Sequence, residues 1–525
     1  MSLSAQSLFS AVRFFGHLPF YLHRRLTLDE ARRLQAQRLH NRRRRLIDRL
    51  RNDIFNRPGS VYSQLFRHAG CELTDVENAI NKDGMEATLH RLFLAGVYLT
   101  VDEFKGRKPI QRGSLLIQID PDHLRSPRAS YHLTGSSGGS RTTGTPVLMD
   151  MRFIRDCASN CMLALHAWGD DGWIKADWES PGAGARFRIV KFSAIDPPQA
   201  WFTHVRPDDP SLPSVTRWNT HAMRLAGWIS GRPFPAPTYA PLSDPSPAVD
   251  WLSSVLASGR VPMLFGLTSS VVRLCLNAID NNVNIEGARF MIGGEPCTQA
   301  RLDTIRRAGA IPIPRYGSME TGAVAYSCPN AEHCDESHLL TDMHVVIQAG
   351  DTNPAALPPP TLLLTVLHPR SPFLMLNLSM GDQAEITSRP CGCPLYDLGW
   401  TSQLHTIRSF EKLTGGGVTF LGTDVIPLLE EFLPARFGGQ PTDYQLVEEE
   451  SESGQPILRL MVHPSLGPLD EAQIAEAFLS QLATGPAPAA RMIQMWRDSN
   501  TFHVSRRPPV VSRAGKILHL HRQAL

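Results

Sequence analysis

The run Thr134-Gly135-Ser136-Ser137-Gly138-Gly139-Ser140-Arg141-Thr142-Thr143-Gly144-Thr145-Pro146 gathers glycines and hydroxyls in one short stretch. Small residues let backbone N–H groups converge on an anion and the hydroxyls add donors, which is how a chain cradles a polyphosphate. No Gly-Lys-Ser/Thr follows, so this is not a Walker A loop. Gly135 to Gly139 also reads as Gly-x-Ser-x-Gly, but it leads into a strand-like run where a hydrolase elbow needs a helix. Further along stand Gly293-Gly294-Glu295-Pro296, Arg315-Tyr316-Gly317-Ser318-Met319-Glu320-Thr321-Gly322, Gly381-Asp382, Arg408 and Ala514-Gly515-Lys516.

A second chemistry lies in the cysteines. Cys328-x4-His333-Cys334 and Cys391-Gly392-Cys393 offer two close groups, and an odd total of nine cysteines argues for reduced thiols or a metal over a secreted disulfide framework. Two pairs of soft donors fit a closed tetrahedral Zn²⁺ site. The expected ligands are Cys328, Cys334, Cys391 and Cys393, with His333 replacing Cys334 as the alternative. Cys297, directly after Gly-Gly-Glu-Pro, is expected to be a packed thiol.

Taken in order, the Ser/Thr/Gly loop, Gly-Gly-Glu, Tyr-Gly-x-x-Glu, Gly-Asp, Arg408 and Ala-Gly-Lys resemble the core motifs of adenylate-forming acyl and aryl ligases. The chain looks most like the phenylacetate–coenzyme A ligase branch and its acyl-protein synthetase relatives, over about Leu65 to His519, most closely over Tyr316 to Cys328. The resemblance implies an ATP-dependent activation of an aryl or alkyl carboxylic acid to an acyl-adenylate, followed by transfer to coenzyme A. Transfer to a carrier protein, a protein cysteine or an amine is the alternative. A catalytically inactive nucleotide-binding or scaffold protein is the rival of a different class.

The resemblance also implies roles. Ser136, Ser137, Gly138, Arg141, Thr142, Thr143 and Gly144 would hold the β- and γ-phosphates, Arg141 supplying the charge lost where Thr145 stands in place of the family's lysine. Gly294 and Glu295 would line the adenine side, Tyr316 and Gly317 would lie at the base, and Glu320 would hold Mg²⁺, a hard ion suited to carboxylate oxygen. Asp382 would accept the ribose hydroxyls, and Arg408 would donate near a hinge completed by Glu411. Lys516 would oppose charge at the α-phosphate. Phe265, Gly266, Ser269, Thr321 and Gly322 are expected to line the acyl pocket. Some members of this branch carry a structural zinc.

The elements that must position these residues follow from pattern. Leu28 to Arg51 carries Ala31, Leu34, Leu39, Leu46 and Leu50 at helical spacing, with Thr27 or Asp29 able to cap its start, and the Arg42 to Arg45 run is expected on a solvated face. Leu115 to Ile119 and Phe187 to Phe192 read as strands, and from Val249 to Glu320 strand and helix signals alternate, as in α/β layers. The prolines between Gly231 and Pro247 mark a surface connection. Ile457 to His463 and Glu471 to Leu482 give the tail its own strand and helix. The expected fold is α/β, with an N-terminal helical segment at 1–105, a large adenylation domain at 106–407 and a small mobile α+β lid at 408–525.

With 525 residues, 42% of them hydrophobic, the chain can bury a sizeable core. The 53 basic against 50 acidic side chains leave +3 overall, which offers no general case for a nucleic-acid partner. No run approaches a spanning helix, and Met1 to Pro19 lacks the order of a signal peptide, so a cytoplasmic protein is expected, with a homodimer as one expected assembly.

Overall fold

The computed structural model describes residues 5–130, 132–136, 146–179, 182–209, 214–409, 414–415, 418–419, 425–450, 456–484, 493, 496, 502–511, 517 and 519–522. The chain begins with helices α1 (Ala5–His23) and α2 (Leu28–His40), the latter capped by the Thr27 hydroxyl accepting from the Glu30 N–H at 3.1 Å. Further short helices reach Phe104. Two arginines of the 42–45 run are not on a solvated face. Arg42 Nε donates to the Thr341 carbonyl at 3.1 Å and an Arg45 guanidinium N–H to that of Asp342 at 2.8 Å, while Arg43 and Arg44 face outward. Both carbonyls lie in a turn where no strand ladder takes them, so the guanidinium groups supply their donors.

Among the described residues twelve strands form the central sheet. They are β1 (Ile174–Trp178), β2 (Ala200–Thr203), β3 (Pro237–Tyr239), β4 (Pro262–Leu267), β5 (Arg289–Gly293), β6 (Ile311–Ser318), β7 (Gly322–Ser327), β8 (Ser337–Leu339), β9 (His344–Gln348), β10 (Thr361–Val366), β11 (Leu378–Thr387) and β12 (Gln403–Ser409). Their order is β9-β10-β11-β12-β8-β7-β6-β5-β4-β1-β2-β3. From β3 to β5 neighbours run parallel, joined by α3 (Ala183–Ser193), α4 (Ser214–Ile229) and α5 (Thr268–Asp280), and α6 (Gln299–Arg307) leads into β6. Helices on both faces bury these strands, so β1 and β4 are apolar-rich and buried at every position.

Phe187 to Phe192 therefore departs from expectation: it lies inside α3, buried throughout. Apolar residues at 187, 189, 190 and 192, with Arg188 and Lys191 between them, fit a helix as well as a strand, and here packing decides for helix. The strand expected at 115–119 is shorter, Leu115–Ile117, paired with Ile110–Arg112.

The tail builds a second sheet from β13 (Tyr444–Glu450), β14 (Pro456–Val462), β15 (Phe502–Ser505) and β16 (Leu520–Arg522), ordered β15-β14-β13-β16, with α7 (Glu471–Ala483) beside it. Leu429, Tyr444, Leu446, Leu458, Phe478 and Trp496 make its own core. It meets the larger body at a buried charged cluster. Glu430 is ion-paired with Arg301 of α6, and His519 Nε2 lies 2.6 Å from Glu430 Oε1. No described helix is long and apolar enough to cross a membrane.

Candidate functional site

The sheet changes sense within one strand. Ile311 to Pro314 of β6 pair in parallel with β5, and from Arg315 onward β6 pairs antiparallel with β7. In open α/β sheets ligands bind beyond the carboxyl ends of the parallel strands, and the parallel part of β6 ends at this change of sense. The Arg315-Tyr316-Gly317 run sits on it. Between Tyr316 and Gly317 the register slips by a bulge, and a Cβ on Gly317 would collide with the Gly322 carbonyl. Gly322 takes φ +72°, and a Cβ there would press on Cys157 Sγ at 3.0 Å and Phe153 Cζ at 3.2 Å. Two glycines thus set the feet of a tight loop. Inside it Ser318 N–H donates to Thr321 Oγ1 at 3.1 Å and Thr321 N–H to Ser318 Oγ at 3.3 Å.

Glu320 sits at the far side of that loop, only 2% exposed. Among the described residues nothing donates to its carboxylate. A carboxylate this far withdrawn from water, with no donor among the described residues, is a group that can hold a hard cation.

Tyr316 reaches across to β11, where its hydroxyl donates to Asp382 Oδ2 at 3.1 Å. Burial, then the adjacent Asp382 charge, pushes the phenol well above its ordinary range, so it remains a donor. Asp382 follows Gly381, whose φ of +79° turns the strand, and its neighbour on β12 is Ser409. Asp382 Oδ1 has no donor among the described residues. Arg408 lies one register step away, opposite Gln383. An Arg408 guanidinium N–H donates to Asp335 Oδ2 at 3.1 Å, and the same carboxylate accepts the backbone N–H groups of Thr406 and Ile407 at 2.9 and 2.7 Å. Asp335 is a positioning residue that the sequence reading missed. Only strand pairing brings it to Arg408.

Glu295 is turned away from the open edge. Its carboxylate accepts the Ser269 N–H at 2.8 Å and the Ser269 hydroxyl at 3.0 Å, and pairs with Arg301 at 3.3 Å. It braces the start of α5 against α6, leaving Gly294, at φ +77°, and backbone as the surface this motif presents. The Ser269 hydroxyl is committed to the same brace. A Cβ on Gly293 would stand 2.6 Å from the Arg315 carbonyl, so glycine is what lets β5 and β6 run this close. Phe265 carries the Arg188 guanidinium 4.2 Å above its ring and that of Arg315 at 5.7 Å, and Gly266 packs beside Val271.

The cysteine site is assembled with one change. Cys328, Cys391, Cys393 and His338 place their donor atoms within 4.8 Å of one another. Cys334 is not among them; its thiol points to the Cys297 carbonyl at 3.4 Å. His333, the alternative, stacks on His405 with ring centroids 3.9 Å apart. The reason is the pairing of β7 with β8: Tyr326 lies opposite His338, so the chain must turn through 333–336 before a donor can return alongside Cys328. His338 Nδ1 donates to the Trp400 carbonyl at 2.6 Å, leaving the Nε2 lone pair toward Cys393 Sγ at 3.1 Å and Cys391 Sγ at 3.5 Å. That backbone bond fixes the tautomer a metal-bound imidazole needs. Three thiols and a neutral imidazole are a donor set that Zn²⁺ takes. Cys297 is buried, its thiol pushed up to about 12 by burial, which makes it a packed thiol and not a poised nucleophile.

Ser137, Gly138, Arg141, Thr142, Thr143, Gly144, Glu411 and Lys516 lie outside the described residues, as does the side chain of Ser136. The strands flanking the loop, Leu133–Ser136 and Pro146–Met149, pair as an antiparallel hairpin.

No protein-family model matches the chain, and no curated protein sequence matches it. Solved structures do. The chain is similar to a 2-hydroxyisobutyryl-CoA ligase in the postadenylation state in complex with 2-HIB-AMP, with a TM-score of 0.52, 14% identity, and 88% of this chain and 85% of that chain covered. The same ligase with 2-HIB-AMP and CoA in the thioesterification state gives 0.48 at 16% identity, over 93% and 90% of the two chains. An amide bond synthetase from Marinactinospora thermotolerans gives 0.42 at 11% identity, over 96% and 98%. Together with a sheet that switches from parallel to antiparallel within β6, the first of these matches shows that the chain has the fold of the adenylate-forming enzymes.

Proposed function

We propose that this protein activates a carboxylic acid with ATP and passes the acyl group to coenzyme A. In the first step a carboxylate oxygen of the acid attacks the α-phosphorus of ATP, the bond to the β-phosphate oxygen breaks, and pyrophosphate leaves. In the second a thiolate attacks the acyl carbon and AMP departs. The observation that carries the reading is the meeting of Tyr316, Asp382 and Arg408 beside the Glu320 loop, where β6 changes sense.

In this reading Asp382, one oxygen held by Tyr316, offers the other to the ribose hydroxyls, and Arg408, held by Asp335, aims at the ribose or phosphate side. Glu320 is the residue that would hold Mg²⁺, which when bound neutralises phosphate charge. Lys516 and the 134–146 loop would complete the phosphate contacts, with 408–525 acting as a lid that turns about Arg408. Phe265, Gly266, Thr321 and Gly322 would bound the acyl pocket. Cys328, His338, Cys391 and Cys393 would hold a structural zinc that ties β7, β8 and the 391–393 loop together. The match to a CoA ligase favours coenzyme A as acceptor over a carrier protein or an amine.

Pyrophosphate release measured over a panel of aryl and alkyl acids, first alone and then with coenzyme A, tests the reading. Release that depends on acid and ATP, with thioester formed when coenzyme A is added, is expected. No release with any acid, in a protein that still binds ATP, would favour the inactive nucleotide-binding reading.

A further inference from the structure

Helix α4 divides its surface cleanly. Met223, Gly227 and Ser230 face the body of the protein, and Gly227 is pressed so closely on the following loop that a Cβ there would stand 2.6 Å from the Phe234 ring and 2.8 Å from the Arg232 carbonyl. On the opposite face, at helical spacing, stand Trp218, Leu225, Trp228 and Ile229, 55%, 57%, 71% and 69% exposed. Large apolar side chains exposed singly are ordinary, but four on one helix face, two of them tryptophan, are not. The helix packed against it, α1, adds Phe20, which is also largely exposed, and the two helices touch through Phe15 and Trp218, ring centroids 6.0 Å apart.

The two stretches that carry this face hold arginine and no acid of their own, although Arg24 lies 3.4 Å from Glu30 and Arg25 3.9 Å from Asp196. Residues 214–243, which cover α4 and its connection through β3, contain Arg217, Arg224 and Arg232 and no aspartate or glutamate; residues 1–27 contain Arg13, Arg24 and Arg25 and likewise no acid. In a chain with nearly equal numbers of basic and acidic side chains, two acid-free stretches packed together make a local cationic surface.

We propose that the exposed face of α4, with α1 beside it, docks the protein on the surface of an anionic phospholipid bilayer. Tryptophan favours the headgroup level, where its ring is buried and its N–H stays hydrated, and leucine and isoleucine reach the acyl boundary. Arg13, Arg217 and Arg232 are placed to meet the lipid phosphates, while Arg24 and Arg25 are already paired with Glu30 and Asp196. Neither helix is long and apolar enough to span, so the contact lies in the plane of the interface. The proposal stands apart from the nucleotide site and holds whichever acid or acceptor the protein uses.

Co-sedimentation of the full chain with vesicles of phosphatidylcholine, with and without phosphatidylglycerol, tests it. Binding to the phosphatidylglycerol vesicles that weakens with salt is expected, and a Trp228→Ser, Ile229→Ser double variant should bind about tenfold more weakly or worse. Both changes lie on exposed positions, so the thermal melting curve and the release of pyrophosphate with a water-soluble acid should stay as in the parent. Arg217→Glu should weaken binding without touching the apolar face. Absence of binding to either vesicle would overturn the proposal, as would equal binding by the double variant. Sedimentation velocity showing a dimer that the double variant dissociates would assign the face to a second copy of the chain, and would equally overturn it.

Discussion

Asp382 is shared between a tyrosine and, in the proposed reading, a ribose, and the sharing sets what its loss costs. Hydrogen bonds to charged groups contribute about 1.5–3 kcal/mol, so Asp382→Ala should weaken ATP binding roughly ten- to a hundredfold by calorimetry. Tyr316→Phe should weaken it less, because the carboxylate remains; ATP binding unchanged in Asp382→Ala would remove the ribose assignment. A second residue-scale effect concerns acid. His344 is fully buried with its Nε2–H donating to the Ala323 carbonyl at 2.9 Å, and burial, only partly offset by that bond, lowers its pKa to about 4. Between that value and the unfolded one of about 6.5, the unfolded chain binds the extra proton. The stability contributed by keeping this ring neutral is therefore complete above about pH 6.5 and is lost as pH falls toward 4, by at most about 3 kcal/mol. His344→Gln should flatten that part of a urea-unfolding profile measured against pH. An unchanged slope would mean that other groups, such as the buried His204, carry the acid sensitivity.

At the scale of elements, the cysteine site joins three separate pieces of chain: the end of β7, the middle of β8 and the loop before 394–397. A metal held by all three contributes its binding free energy to their folding. Purified protein is expected to carry about one zinc per chain, and His338→Ala should lower that content and the melting temperature together. Cys334→Ser should change neither, since Cys334 is turned to the Cys297 carbonyl. Zinc lost in the Cys334 variant and kept in the His338 variant would restore the ligand set expected from spacing. The β6 switch belongs to this scale too, because the loop carrying Glu320 can be tight only with glycine at both 317 and 322.

For the whole molecule the question is how two cores communicate. The smaller sheet meets the larger body through Arg301, Glu430 and His519, with Arg301 also paired to Glu295 of the Gly-Gly-Glu motif. A lid that turns about Arg408 would have to break that buried cluster, so this arrangement is one defined position and not a continuum. Lys516, in the proposed reading, would distinguish the positions functionally. If it reaches the α-phosphate only during activation, Lys516→Ala should slow pyrophosphate release about a hundred- to a thousandfold, the usual cost of one charge-stabilising donor. Given a synthetic acyl-adenylate, the same variant should form thioester at close to the parent rate. Equal damage to both steps would mean that no such rotation occurs or that Lys516 is structural.

What the sequence determined by itself was local and ordered. Glycines at 293, 317, 322 and 381 announce places where backbone must approach backbone or take a positive φ, and the Thr27 cap and the strand and helix of the tail follow from short-range pattern. The order of the motifs was enough to suggest the fold. What only the tertiary structure decided depends on contacts between residues far apart in the chain. Spacing put Cys334 in the candidate metal site, whereas pairing of β7 with β8 puts His338 there. Asp335 is found beside Arg408 because β8 pairs with β12, across 73 positions. Glu295 looked like a residue facing a nucleotide until the brace to Ser269 and Arg301 turned it inward. Phe187 to Phe192 has apolar residues at 187, 189, 190 and 192 around Arg188 and Lys191, a pattern too short to separate the two periods, and burial on all sides, with Arg188 paired to Asp177, made it a helix. Side-chain type restricts what a residue can do, but which groups share a site is set by register and packing, and those are properties of the folded chain.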